Sequence, residues 1–264
     1  MSGPREECGI VAVIGPERAA EWAYLGLYAL QHRGQESSGI VSSDGVRAYA
    51  HRAMGLVADA FDENALAALP GTAAIGHNRY STTGSPTLAN AQPILVNYRD
   101  GFLAVAHNGN LTNARTLRRR LERSGSIFQS TMDTEVVVHL IAAERDPSRD
   151  RAVLNALDRL TGAYSLLILT PDGLYAARDP HGFRPLALGR LGGLACWEHT
   201  MNLARQDFAF DTLPGVYIHA SFLSNILSQE FLTRPLFARI KTPRQMVAFG
   251  EDSLRDAIKT VGLF

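Results

Sequence analysis

The sequence has little cysteine: Cys8 and Cys196 are the only two among 264 residues. Two thiols make no disulfide framework, and they are too few for a cysteine-only zinc or iron–sulfur site within one chain. Sparse cysteine fits a reducing, cytoplasmic setting. Charge of one sign is also lacking, since Lys+Arg and Asp+Glu are both 26 and the pI is about 7.1. A chain without a basic field has no general attraction for nucleic acid. No apolar run approaches the ~18 residues that span a bilayer, so no membrane partner is expected. The first seven residues lack the apolar stretch of a secretory signal. There is no internal repeat and no low-complexity linker.

What is present is a chain with 46% apolar residues, enough to bury the core of one large domain or of one domain plus a short appendage. Residues 9–14 form a β-branched run ended by Gly15-Pro16 and read as a buried strand. Ala20, Ala23, Tyr24, Leu27 and Leu30 then mark one face of a helix that should stop before Gly34. Residues 38–43 and 47–51 read as strands around a turn at Asp44-Gly45, and 72–77 as another strand. Residues 78–90 are rich in Ser, Thr, Gly and Pro and read as a loop. A strand at 102–106 runs into Asn108-Gly109-Asn110. Helices follow from Thr112 or Asn113 to Gly125, from Asp133 as a candidate N-cap, and over 151–160. The run Arg118-Arg119-Arg120 reads as a solvated helix face. Strands at 164–169 and 174–177 flank Pro171-Asp172-Gly173, a hairpin signal. This order predicts a layered α/β or α+β domain with largely antiparallel pairing. A boundary falls near His219, after which strand–helix alternation is lost.

Three groups of residues could carry chemistry. Cys8 is either a buried structural cysteine or a thiol nucleophile. If residues 1–7 were removed, its own α-amine, with a pKa of ~7.7–8, could accept the thiol proton, and one residue would supply both nucleophile and base. Asn108-Gly109 is either a hairpin turn or an oxyanion hole, in which the Asn108 amide and the Gly109 N–H converge on a developing negative charge. Arg79 and Asp133 offer a guanidinium for a carboxylate and a carboxylate for an ammonium, the two charges of a free α-amino acid. Gly34, Gly39 and Gly84 punctuate the loops near these residues.

Taken in order, the segments Cys8-Gly9-Ile10-Val11, Gln31-His32-Arg33-Gly34-Gln35-Glu36-Ser37-Ser38-Gly39-Ile40, Gly76-His77-Asn78-Arg79-Tyr80-Ser81-Thr82, Ala106-His107-Asn108-Gly109-Asn110-Leu111 and Asp133-Thr134-Glu135 resemble the class II glutamine amidotransferases. The resemblance implies an α+β fold, the four-layer αββα sandwich of N-terminal-nucleophile hydrolases, with mainly antiparallel sheets. His-Arg-Gly-Gln, Asn-Arg-Tyr-Ser-Thr-Thr-Gly and Asp179-Pro180-His181-Gly182-Phe183-Arg184-Pro185-Leu186 resemble the amidophosphoribosyltransferase branch. By that resemblance residues 1–7 are a propeptide, and 8–219 form the amidotransferase domain. Cys8 would attack the glutamine side-chain amide with its α-amine as base, and Asn108 and Gly109 would form the oxyanion hole. Arg79 would bind the α-carboxylate and Asp133 the α-amino group, with Arg33 and Gly34 lining the pocket. The ammonia released would convert phosphoribosyl pyrophosphate to phosphoribosylamine, in purine synthesis.

The likeness weakens after about Gly193, where the segment Ala195-Cys196-Trp197-Glu198-His199-Thr200 departs from the family pattern. Met132 stands where the family usually has a small polar residue. Residues 220–264 show no phosphate-binding loop of two acids followed by Gly-Thr-Thr, so they read as a divergent tail in place of a phosphoribosyltransferase domain. Phosphoribosyl transfer would then need a separate domain or subunit. Mg2+ is expected only with that domain, and no cofactor, resident metal or iron–sulfur cluster is expected in this chain. A homo-oligomer is left open. The alternatives are a non-catalytic glutamine-binding or regulatory module, or an inactive fragment. Intact mass of the purified protein separates these readings. A loss matching residues 1–7 is expected, whereas an uncleaved chain keeps the Cys8 nitrogen in a peptide bond and favours the binding module.

Overall fold

The computed structural model describes residues 8–80, 87–184 and 186. The expected propeptide, Gly84, Cys196, the boundary near His219 and the tail at 220–264 lie outside the described residues. The first half of the chain builds β1 (Gly9–Ile14), α1 (Ala19–Ala29), β2 (Ser37–Ser43), β3 (Ala48–Met54), the short helices α2 (Val57–Ala60) and α3 (Glu63–Ala67), and β4 (Ala73–Arg79). The second half builds β5 (Ile94–Tyr98), β6 (Gly101–Leu111), α4 (Ala114–Arg123), α5 (Thr134–Ala143), α6 (Arg149–Leu157), β7 (Gly162–Thr170) and β8 (Gly173–Arg178). Each half closes its own four-stranded sheet, in the order β1-β4-β2-β3 and β5-β6-β7-β8, with every neighbouring pair antiparallel. No helix among the described residues is long and apolar enough to cross a membrane.

Alternation along the strands sorts the side chains into three apolar layers. Val11, Ile40 and Ala74 face outward from the first sheet and pack with Ala20, Tyr24, Leu27 and Phe61 beneath α1 and α2. Val41, Ala73 and Ile75 face inward and meet Phe102, Ala104, Ala106 and Leu167 of the second sheet. Leu103, Val105, Leu166 and Ile168 face outward from the second sheet onto Leu117, Val137, Leu140 and Val153 of α4–α6. The result is the expected αββα order. The same parity carries upward to the ends of the strands. His77 and Arg79 share the inward face with Ala73 and Ile75, and Asn108 shares it with Ala104 and Ala106.

The structure corrects several sequence-based expectations. β4 runs on through Asn78 and Arg79, which were assigned to a loop. β6 continues through Asn108-Gly109-Asn110 to Leu111, so that tripeptide is strand and not a hairpin turn. The reason is tertiary: β7 pairs with β6 as far as Gly162, holding extended a segment whose local composition favours a turn. β5, α2 and α3 were not anticipated. Asp133 stands at the N-cap position of α5 but makes no side-chain cap bond. Arg119 and Arg120 are exposed as expected, but Arg118 lies over the Phe128 ring at 4.1 Å and donates from Nη1 to the Ser130 carbonyl at 2.9 Å.

Gly39 of β2 lies against the backbone just ahead of β5. A Cβ there would stand 2.2 Å from the Gln92 carbonyl oxygen and 3.0 Å from its carbon. Backbone cannot swing aside as a side chain can. Gly39→Ala is therefore expected to destabilise by ~1–3 kcal/mol, lowering the melting temperature by roughly 2–4 °C per kcal/mol. Calorimetry checks this, and an unchanged melting temperature would remove the close contact from the account.

Candidate active site

β5 stops at Ile94, opposite Val105, while β6 runs on to Leu111. Beyond Val105 one edge of β6 has lost its strand partner. In an antiparallel ladder the backbone groups of alternate residues point to opposite neighbours. Residues 107, 109 and 111 turn theirs away from β7, towards the uncovered edge. Their partners on β7 agree: Tyr164, opposite Gly109, exchanges bonds with Asp179 on its far side, accepting from Asp179 N–H at 2.8 Å and donating to Asp179 Oδ2 at 3.3 Å. Side chains fill two of the three vacancies. His107 N–H donates to Gln92 Oε1 at 2.8 Å, and Leu111 N–H donates to Asp133 Oδ2 at 2.9 Å. Gly109 N–H lies between them on the same edge, with no partner among the described residues. Only glycine fits at 109: its φ is 147°, and a Cβ would stand 2.0 Å from the Ala163 carbonyl oxygen.

The neighbouring end of the first sheet carries Cys8. Arg33 grips this residue twice, its carbonyl accepting Cys8 N–H at 3.0 Å and its Nε donating to the Cys8 carbonyl at 2.8 Å. The half-buried Cys8 thiol reaches the Tyr80 carbonyl oxygen at 3.5 Å. Gly34 lies against β4, where a Cβ would stand 2.8–2.9 Å from backbone atoms of Asn78 and Arg79. Arg79 is buried, and its Nη1 pairs with Glu36 Oε1 at 3.1 Å, while Glu36 N–H donates to the Arg79 carbonyl at 3.0 Å.

A buried polar chain joins the two halves. His77 Nε2 donates to the His107 carbonyl across the interior at 3.1 Å. The His107 ring turns its Nδ1 towards Thr134 Oγ1 at 3.1 Å and Asp133 Oδ1 at 3.5 Å. Burial pushes the Asp133 carboxyl up, but the His107 ring and the Leu111 N–H outweigh it, so the group is held below the usual carboxylate range and stays an anion. Full burial, with Arg79 and His107 nearby, drives His77 down to about 3 and keeps it neutral. Asn108 is buried, and its side-chain oxygen has no partner among the described residues. Such a group in a native interior calls for an explanation, and a ligand site supplies one.

Of the residues picked from sequence, Arg79 lies on the first sheet, with Cys8 just ahead of β1 and Arg33 and Gly34 packed against them, and Asn108 and Gly109 lie on the second, with Asp133 at the head of α5. Glu36, His77, Gln92 and His107 contact these residues or the strand that carries them and are not among those the sequence singles out. Glu36 and His107 lie inside the quoted motifs, so an acid two residues after Gly34 and a histidine beside Asn108 were signals available to the eye. Nothing local marks Gln92, whose part depends on where β5 stops. Met132 is half-buried beside Asp133.

A protein-family model described as a glutamine amidotransferase domain matches residues 77–197. The amidophosphoribosyltransferase of Rhizobium etli is 51% identical over 189 residues, covering 71% of this chain and 38% of the relative. That of Bacillus subtilis is 42% identical over 219 residues, covering 83% of this chain and 45% of the relative. Among solved structures, the glutamine phosphoribosylpyrophosphate amidotransferase from B. subtilis aligns with a TM-score of 0.66 at 43% identity, over 70% of this chain and 40% of that one. Paired antiparallel sheets between helices, with these matches, define a glutamine amidotransferase domain of the N-terminal-nucleophile type. The chain matches the glutamine amidotransferase part of amidophosphoribosyltransferases and spans less than half the length of these relatives.

The neutral His77 has a measurable consequence. An unfolded histidine takes up its proton near 6.5, the folded one only near 3. Between these values the unfolded state binds more protons, so stability rises with pH and is lost on acidification. Asp133, with its depressed pKa, adds a loss in the same direction as pH falls through its folded value. Denaturant unfolding should show stability falling below pH 6.5, by up to ~1.4 kcal/mol per pH unit for each such group. His77→Gln should flatten the dependence, and an unaltered slope would mean that His77 is not neutral in the folded chain.

Proposed function

We propose that this chain hydrolyses glutamine to glutamate and ammonia, with Cys8 as nucleophile once residues 1–7 have been removed. The observation that carries the reading is the Gly109 N–H, left on an uncovered strand edge beside the buried Asn108 amide and between two amides already taken by side chains. Two donors so placed suit an oxyanion and cost no reorganisation at the moment of reaction. The freed Cys8 amine would occupy the place of the present peptide N–H. There the Arg33 carbonyl would hold one of its hydrogens and leave its lone pair for the thiol.

In the reaction the amine takes the thiol proton and sulfur attacks the side-chain amide carbon. The carbonyl oxygen becomes an anion facing Asn108 and Gly109. Collapse of this intermediate breaks the carbon–nitrogen bond, and ammonia leaves with the proton returned by the amine. Water then attacks the thioester by the same route, releasing glutamate and restoring the thiol. Arg79, set by Glu36, would bind the α-carboxylate, and Asp133, kept anionic, the α-ammonium. Arg33 and Gly34 would shape the wall between them.

The names of the relatives extend the proposal. Ammonia made here would serve a phosphoribosyltransferase domain or separate subunit, displacing pyrophosphate from phosphoribosyl pyrophosphate to give phosphoribosylamine for purine synthesis. Magnesium belongs to that second reaction. A cytoplasmic location agrees with the sparse cysteine.

Ammonia release from glutamine by the processed protein tests the reading. Cys8→Ala should abolish it, and Asn108→Ala should lower kcat by about 10²–10³ through loss of one oxyanion donor. Undiminished release from the Cys8 variant would sink the proposal.

A further inference from the structure

The segment Asn90-Ala91-Gln92 has no part in the chemistry just described, yet it contacts both the strand that carries Asn108 and Gly109 and the loop that leads to Asp133. It immediately precedes Pro93 and β5 in the chain. Gln92, two residues ahead of the first residue of β5, is buried, and its Oε1 takes the His107 N–H at 2.8 Å. This side chain extends the ladder of β5 by one acceptor and holds β6 just before Asn108 and Gly109. Asn90 is also buried and faces the loop that leads into α5. Its Oδ1 accepts from Thr131 N–H at 3.1 Å and from Thr131 Oγ1 at 3.3 Å, and its Nδ2 lies 3.0 Å from the same hydroxyl. Thr131 stands two residues before Asp133. The segment is docked in turn on the first sheet. Arg52 Nη1 of β3 donates to the Ala91 carbonyl at 3.2 Å, and the Gln92 carbonyl rests against Gly39 of β2, where a Cβ would stand 2.2 Å away.

Three consecutive residues thus hold the oxyanion strand with one side chain and the Asp133 loop with another, while their backbone is fixed to the sheet that carries Cys8 and Arg79. We propose that Gln92 and Asn90 are positioning residues for glutamine hydrolysis, Gln92 setting the Asn108–Gly109 donors and Asn90 setting Asp133. The inference rests on the function proposed above. It divides the labour in a way that plain structural support does not. Displacing oxyanion donors weakens the transition state alone and lowers kcat, whereas displacing the residue that binds the ammonium weakens substrate and transition state alike and raises KM.

The test uses the full, processed chain. Gln92→Met keeps the size and loses the acceptor, and Gln92→Glu keeps an acceptor oxygen. Gln92→Met should lower kcat by about tenfold or more, a part of the 10²–10³ lost when a donor is removed outright, with KM for glutamine little changed. Gln92→Glu should restore most of the loss. Asn90→Ala should raise KM by a similar factor with kcat nearly kept, and Asn90→Asp should recover it. Amide hydrogen exchange supplies a second readout that needs no turnover: Gln92→Met should speed exchange at His107, whose N–H loses its acceptor, and leave β7 and β8 unchanged. Equal kinetics in wild type and Gln92→Met, or unaltered exchange at His107, would overturn the inference while leaving the glutaminase reading intact. A processed wild-type chain that releases no ammonia would instead overturn that reading, and with it this one as a statement about catalysis.

Discussion

The site depends on one mismatch of length: β5 ends at Ile94, and its partner β6 continues to Leu111. An uncovered strand edge inside a protein is costly, because each buried N–H without a partner loses its hydrogen bond to water and gains nothing. Here the vacancies are met one at a time. Gln92 takes the first amide and Asp133 the third. What stays open between them is a single backbone donor at a glycine, flanked by a buried asparagine amide. A site of this kind needs no special secondary structure, only a strand that outruns its neighbour and side chains that cap all but one position.

The same economy of parts governs the space between the sheets. Along most of its length it is apolar, filled by residues such as Val41, Ile75, Ala104 and Leu167. At one end, on the same faces and by the same alternation, the residues change to His77, Arg79 and Asn108. Replacing apolar contact by polar groups at this depth forgoes about 25 cal/mol for each Å² of apolar burial and demands a partner for each polar atom. His77 meets that demand with one of its two nitrogens, Nε2 donating to the His107 carbonyl while Nδ1 has no partner among the described residues, and Arg79 pairs with Glu36. The Asn108 side-chain oxygen does not meet it within the described residues.

Glycine has two different uses around this centre. At Gly39 and Gly34 the absence of a side chain lets one backbone lie on another, fixing Gln92 against β2 and the Arg33 segment against β4. At Gly109 it permits a backbone angle that side chains rarely adopt, inside a strand that is otherwise regular. The first use brings two backbone segments into contact, and the second sets the direction of one N–H.

The sequence by itself determined the family, the layered α+β class and most of the strands and helices, because hydrophobic period and turn residues act locally. It also picked out Cys8, Arg79, Asn108, Gly109 and Asp133, whose residue types are uncommon in these combinations. It misread Asn78 and Arg79 as loop and Asn108-Gly109 as a candidate turn, since composition there favours a turn and only pairing with distant strands holds them extended. Asp133 was expected to cap its helix, but its carboxylate instead serves Leu111, 22 residues away. The part of Gln92 was decided by tertiary structure alone. Which way an N–H points depends on register, and whether it needs a side-chain partner depends on where the neighbouring strand ends, and neither is written in any short stretch of residues.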